Sequence, residues 1–348
     1  MSPVLARPPR LASFRKPPEP ALLDETLVDD GLRPFLYDAA GADGPISLLD
    51  VAVEGLTDEQ LLWIDVSNDQ HLDAAADVLG LTAETVGKIR EAPSEPVLFA
   101  YDGYVHLVVV AAGHSDPSAP HALHCVVGSN WVLTAHRGPL AFLDRFDERI
   151  RGDSALGRID GNGFLAAILH EHVASYLAEL RPIESDLDRL DVSSMAGRAR
   201  EDTLLRELVR TRIRLAKLRR LLEPHRELFS LLARSEFAVL SGSETPADFD
   251  ALTEFLERTL RSMDATREMI GGSFEIFTTW TAHATNQVMK RLTVASLTLL
   301  PPTLLAGVMG MNSLPSALSS PAAFWATTIA MVGLAAVVLT GAWRRGWL

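Results

Sequence analysis

The sequence predicts an α/β domain at the N-terminal end, a long helical stalk, and two transmembrane helices at the C-terminal end. Three observations lead there. Short apolar runs punctuated by turn residues fill the chain up to about residue 140. Helical periodicity takes over from about Asn162. Two uncharged apolar stretches, Leu292 to Met311 and Ala322 to Trp343, lie near the end. The 348 residues suffice for two domains. Apolar residues make up 47% of the chain while mean hydropathy is only +0.13, as expected of a water-soluble protein with a short membrane portion.

Residues 1–25 are proline-rich, carry Arg7, Arg10, Arg15 and Lys16, and lack the apolar core of a signal peptide. They read as a disordered tail. Residues 26–160 read as the α/β domain. Leu61 to Val66 has strand composition. Val97 to Tyr101, Asp102-Gly103 and Tyr104 to Ala112 form a hairpin pattern around a favoured turn dipeptide. Leu123 to Val127 and Trp131 to Ala135, joined by Gly128-Ser129-Asn130, form a second. Between strand and hairpins, Asp73 to Leu79 and Ala83 to Arg90 have helical spacing on either side of Gly80. Cys125 lies in an apolar run and reads as a core residue; as the single cysteine it excludes an internal disulfide.

Residues 161–246 read as a cytoplasmic helical hairpin region. Leu165, Ile168, Leu169, Val173, Tyr176, Leu177 and Leu180 recur near 3.6 residues, with Pro182 a candidate kink. A helix from Thr203 to Leu240 follows, ended by Ser241-Gly242-Ser243. The stalk helix, 247–291, opens near Asp248 and runs without a strong break into the first span, 292–311. A helix from 248 to 311 would extend roughly 95 Å at 1.5 Å per residue. A bilayer core is about 30 Å thick, so much of that helix must stand in water.

The connector, 312–321, is too short for anything but an antiparallel helical hairpin with the second span, 322–343. Lys290 and Arg291 precede the first span, Arg344 and Arg345 follow the second in the tail 344–348, and the connector has no positive charge. The positive-inside rule puts both termini in the cytoplasm. Residues 286–348 contain no acid, which leaves 28 basic against 45 acidic residues before them, a net charge of −17. Such a domain repels nucleic acid and attracts cations, and it also serves simple solubility.

On the first span, spacings of three and four trace Asn286, Met289, Thr293, Ser296, Leu300, Thr303, Gly307 and Gly310, a mostly small or polar stripe. Polar groups avoid lipid, so the stripe should face protein or a water-filled path. Small-residue stripes also pack helices together, and periodicity alone leaves both readings open. The end of this helix adds Gly310-Met311-Asn312, a short connector and a second span. This resembles the CorA family of divalent cation transporters, whose signature is Gly-Met-Asn after the first of two C-terminal transmembrane helices. Thr285 to Thr293 and Pro302 to Gly307 are similar to the family's first span, and Leu218 to Glu227 to its proline-containing cytoplasmic helix.

The resemblance implies a homopentamer in the inner (plasma) membrane, with the first spans lining a central pore through which hydrated Mg²⁺, or Co²⁺ or Ni²⁺, passes. Gly310, Met311 and Asn312 would form the selectivity ring, with the oxygens of Gly310 and Asn312 accepting hydrogen bonds from the ion's water shell, which Mg²⁺ sheds reluctantly. Asn286 would form an inner polar ring, and Met289 and Leu292 an apolar gate. Regulatory metal between cytoplasmic domains is expected at acids such as Asp248, Asp250, Glu254 and Glu257. The chain departs from the family in having no acid in Ser313 to Ser320, Met309 where tyrosine is common before the signature, and Asp250-Ala251 near the usual regulatory aspartate. Partners are then copies of itself, lipid and divalent cations; no cofactor is expected.

The ending Arg344 to Leu348 is similar to the zinc-transporting ZntB branch, which keeps a zinc transporter, proton-coupled or not, as the alternative. Zn²⁺ prefers nitrogen and sulfur ligands, and the stripe offers only thioethers. A membrane-anchored coiled-coil scaffold would explain the long helices but not the uncharged hairpin. His170-Glu171-His172 lacks the i, i+4 histidine spacing of a zinc protease, and no phosphate-binding glycine loop is present, so an enzyme is not expected.

Overall fold

A computed structural model describes residues 31–41, 43–113, 120–151, 154–195, 201–234, 246–309 and 320–347. The expected tail, the Gly310-Met311-Asn312 signature and nearly all of the connector lie outside the described residues. The chain divides into two compact units. One comprises residues 1–185 and 210–268, the other residues 186–209 and 269–348.

The first unit contains a seven-stranded sheet in the order β2-β1-β3-β7-β6-β5-β4. Its strands are β1 (Leu32–Asp38), β2 (Gly44–Pro45), β3 (Gln60–Val66), β4 (Val97–Tyr101), β5 (Tyr104–Ala112), β6 (Pro120–Val127) and β7 (Trp131–His136). The predicted strand and both hairpins are present. Gly103 takes φ +84° in the first hairpin turn, a left-handed conformation that a side chain would strain. β3 and β7 pair in parallel, Leu62 to Val66 against Trp131 to Ala135, at the centre of an otherwise antiparallel sheet.

Leu61 through Val66 are all buried because both faces of the sheet are covered. On one face, Leu62, Ile64, Val66, Leu133 and Ala135 pack with Leu72, Ala75 and Leu79 of α1 (Leu72–Leu79) and Ile89 of α2 (Ala83–Ile89). On the other, the Trp63 ring lies 6.0 Å from that of Phe146 on α3 (Ala141–Ile150). It lies 5.5 Å from that of Phe164 on α4 (Gly161–Met195). Trp63 Nε1 donates to Thr134 Oγ1 at 3.0 Å, so the indole's polar edge is satisfied inside the core. Cys125 is buried, as expected, and burial pushes its thiol far up.

α4 continues through Pro182. The expected helix from Thr203 to Leu240 is corrected: α5 (Glu201–Leu222) stops and α6 (His225–Leu232) restarts the chain. Pro224 has no N–H to continue the ladder, and the Glu223-Pro224 turn intervenes instead. The long helix is α7 (Pro246–Met309), which passes Gly271-Gly272 and Pro301-Pro302 unbroken for 64 residues. The last is α8 (Pro321–Arg344). Both carry windows long and apolar enough to cross a membrane.

Candidate ion pathway

The first span is the end of α7 within the second unit. Its threonine hydroxyls are satisfied along the helix itself. Thr293 Oγ1 donates to the Met289 carbonyl at 2.8 Å, Thr298 to Val294 at 2.7 Å and Thr303 to Leu299 at 2.7 Å. Threonines bonded in this way can enter lipid or line a path without orphaning their hydroxyl donors.

Burial divides the faces of this span. Val294 is buried, and Thr298, Pro301, Pro302 and Met309 are half-buried. Thr327 Oγ1 of α8 reaches Met309 Sδ at 3.9 Å, which places that face against the second span. Asn286, Met289, Leu292, Thr293, Ser296, Leu300, Thr303 and Gly307 are all exposed. At about 100° per residue, this stripe is centred roughly 170° around the helix from Val294, Thr298 and Met309. A single chain therefore leaves the small-polar stripe uncovered on the side away from its own second span. The apolar residues between, such as Leu297 and Leu304, are exposed as well.

The four acids expected to hold regulatory metal lie on the first turns of α7. Asp248, Asp250 and Glu254 are exposed. Glu257 is engaged by Arg226, whose Nε and Nη2 donate to its two carboxylate oxygens at 2.6 and 3.2 Å. Among the described residues, no group of three or more His, Cys, Asp or Glu side chains is placed to hold a metal ion. His170 and His172 point apart. The His170 ring stacks on Phe255 at 4.5 Å, while His172 is fully buried and its Nε2 donates to the Val110 carbonyl at 2.8 Å.

Sequence reading missed two polar clusters in the first unit. At Val110, Tyr176 and His172 donate to the carbonyl, and His225 Nε2 accepts from the amide at 3.0 Å. These bonds clamp the part of β5 that extends past β4 to α4 and α6. Burial pushes His172 down to about 4 and His225 well below its ordinary value. In the other cluster, Asp65 accepts from Arg33 Nη2 at 2.6 Å and Thr134 Oγ1 at 2.6 Å and faces His136. Burial pushes the Asp65 carboxyl up, but His136, Arg33 and Thr134 together hold it below the usual range. An aspartate inside the apolar run Leu61 to Val66 was the available signal, since a buried carboxylate demands partners.

Comparison with known proteins extends over nearly the whole chain. Residues 58–341 match the family described as CorA-like Mg2+ transporter protein. The cobalt/magnesium transport protein CorA of Methanocaldococcus jannaschii is 24% identical over 298 residues, covering 84% of this chain and 92% of that one. The Thermotoga maritima protein of the same description is 23% identical and covers 72% of each. Among solved structures, the complete CorA magnesium transporter of M. jannaschii superposes with a TM-score of 0.74 at 21% identity, over 91% of this chain and 99% of that one. The ZntB cytoplasmic domain of Vibrio parahaemolyticus gives 0.56 at 12% identity, over 73% of this chain and all of that one.

Proposed function

The chain belongs to the family of CorA-like Mg2+ transporter proteins, and from that premise we propose that it is a Mg²⁺ channel whose pore is lined by the first span of each subunit. It is an integral membrane protein that transports divalent metal ions. The observation that carries the finer reading is the uncovered stripe from Asn286 to Gly307, set opposite the face that meets α8. Polar groups on a lipid-facing surface are costly, so the stripe calls for other copies of the chain around water. Five copies, the number implied by the family resemblance, would place eight rings of these side chains along a central path. Both termini are then cytoplasmic, by the charges at Lys290, Arg291, Arg344 and Arg345.

The chemistry of the stripe suits Mg²⁺. It offers amide and hydroxyl oxygens to a hydrated ion and contains no carboxylate that would trap it. Gly310, Met311 and Asn312 form the outer selectivity ring in this reading, and Asn286 the inner one. Met289 and Leu292 form an apolar constriction that closes by dewetting. Zn²⁺ would want nitrogen or thiolate, which neither the stripe nor the signature supplies. Asp248, Asp250, Glu254 and Glu257 give the stalk a negative end that intracellular Mg²⁺ can bridge between subunits, favouring a closed assembly.

Asn312→Ala tests the selectivity ring. The variant should assemble and insert normally, yet lose at least about tenfold in metal uptake, the worth of one charge-assisted hydrogen bond of roughly 1.5 kcal/mol. Normal uptake by a well-expressed variant would remove Asn312 from the path.

A further inference from the structure

At the carboxyl end of the central parallel strands, the two ring nitrogens of His136 face two acceptors. Nδ1 lies 2.7 Å from the Gly138 carbonyl, which can only accept, so Nδ1 carries a proton. Nε2 is buried without a hydrogen bond of good geometry and lies 3.3 Å from Asp65 Oδ1, within ion-pair distance. Asp65 cannot supply the missing proton. Its Oδ1 takes the hydrogen of Thr134, whose own oxygen accepts from Trp63 Nε1, and its Oδ2 takes two hydrogens from Arg33. Every group around Asp65 donates, so the aspartate is a carboxylate. The imidazole must then carry both protons, or turn a lone pair on a carboxylate 3.3 Å away.

We propose that His136 is a proton-binding switch of the α/β domain, which ties the end of β7 and the turn into α3 to Asp65 while protonated and releases them when the proton leaves.

The surroundings fit a group that changes charge. His136 is buried, yet it borders a pocket of about 120 Å³ between β3, β6, β7 and the start of α1, which brings water to its edge. The charged groups facing the cluster come from every element around it: Arg33 on β1, Asp65 on β3, and Asp144 and Asp147 on α3, both within ion-pair reach of Arg33. Arg151 closes on Asp147. With His136 protonated, three positive groups meet three negative ones; without its proton the cluster is one charge short. Across the pocket, Asp69 is paired with Arg137, Glu91 and His121 also line the wall, and His124 stays neutral, pushed down to about 4 by burial. For His136 itself, burial pushes the imidazole down. Asp65 and the Gly138 carbonyl outweigh that and hold it above its ordinary value, with Arg33 opposing.

The released element is short. Gly138 takes φ +79° between β7 and α3, and the N-cap of α3, Leu140, makes no side-chain capping bond. The turn is therefore held by Arg137 on Asp69 and by His136 on Asp65 and on the Gly138 carbonyl. Because the folded chain binds this proton more tightly than the unfolded chain, its contribution is complete below about pH 6.5. It is lost as pH rises through the folded value, by up to about tenfold in the folding equilibrium per pH unit.

Two measurements on the full chain in detergent decide the matter. Histidine C2 hydrogen exchange followed by mass spectrometry gives a titration for each histidine of the wild-type protein. His136 should titrate above its ordinary value of 6.5. Thermal melting from pH 6 to 9.5 should show a midpoint that falls above neutral in the wild type, and a flat dependence in His136→Gln. Titration of His136 at or below 6.5 would overturn the proposal, as would the same alkaline fall in the variant. Should His136→Gln fail to fold, the exchange titration of the wild type decides alone.

Discussion

The α/β domain and the C-terminal helices place their apolar side chains in opposite ways. In the sheet, Leu61, Leu62 and Ile64 are 0% exposed, and the polar groups among them are paired within one chain. In the spans, Leu300 and Leu304 are each 66% exposed and Ile329 is 70% exposed. The first region is complete as a single chain. The second leaves its apolar side chains uncovered in a single chain, the physical form of an integral membrane protein. A residue's importance should accordingly appear as stability in the first region and as transport in the second.

The largest stability effect falls on the sheet. Trp63→Ala removes the ring that packs on Phe146 and Phe164 and the donor to Thr134, at a cost of about 3–5 kcal/mol. Denaturant unfolding of the full chain checks it. A loss below about 1 kcal/mol would mean that the core is looser than its burial indicates.

A smaller effect is expected at the Val110 clamp. His225→Leu leaves the Val110 amide and the Leu222 carbonyl without their partner, for about 1–3 kcal/mol. The clamp also carries a pH signature. His172 and His225, together with His106, pushed down to about 3 chiefly by burial, are held neutral in the fold. The unfolded chain takes up protons below about pH 6.5, so stability present above that value is lost as pH falls toward the folded values. Acid unfolding should therefore be steep by about pH 5, before most carboxylates titrate, and less steep in His225→Leu. An unchanged acid slope in that variant would remove His225 from the clamp's titration.

The smallest stability effect is expected on the stripe. Ser296→Leu replaces an exposed hydroxyl on a helix and should change stability by no more than about 0.5 kcal/mol. Metal flux should nevertheless fall severalfold, because the added side chain narrows and dries the path. Unchanged flux with intact assembly would put the stripe at a helix contact outside the pore.

The sequence made the local parts of this molecule readable. The hairpins at Asp102-Gly103 and Gly128-Ser129-Asn130, the helices around Gly80 and both spans follow from turn chemistry and periodicity within about twenty residues. The non-local parts were hidden. β1 was missed because Pro34 sits inside it and it becomes a strand only by pairing with β3, Leu32 against Val66 through Asp38 against Gln60. The parallel β3–β7 pair joins segments about 70 residues apart, which no local pattern reports. α3 lacks a side-chain N-cap, the signal that would have marked its start. The break at Pro224 was passed over because leucines keep helical spacing on both sides of it. For the site, periodicity supplied the stripe and a tripeptide supplied the signature. The Asp65–His136 and Val110 clusters need tertiary contacts to exist at all.

The central claim is that this chain conducts divalent cations through a path lined by the Asn286 to Gly307 stripe. The most direct test is flux into liposomes holding only the purified chain and a Mg²⁺-sensitive dye, with Co²⁺, Ni²⁺ and Zn²⁺ run in parallel and a pH gradient either imposed or absent. The account predicts Mg²⁺ entry that needs no proton gradient, exceeds Zn²⁺ entry and is lost in Asn312→Ala. Zn²⁺ entry that requires a proton gradient, with Mg²⁺ excluded, would contradict it.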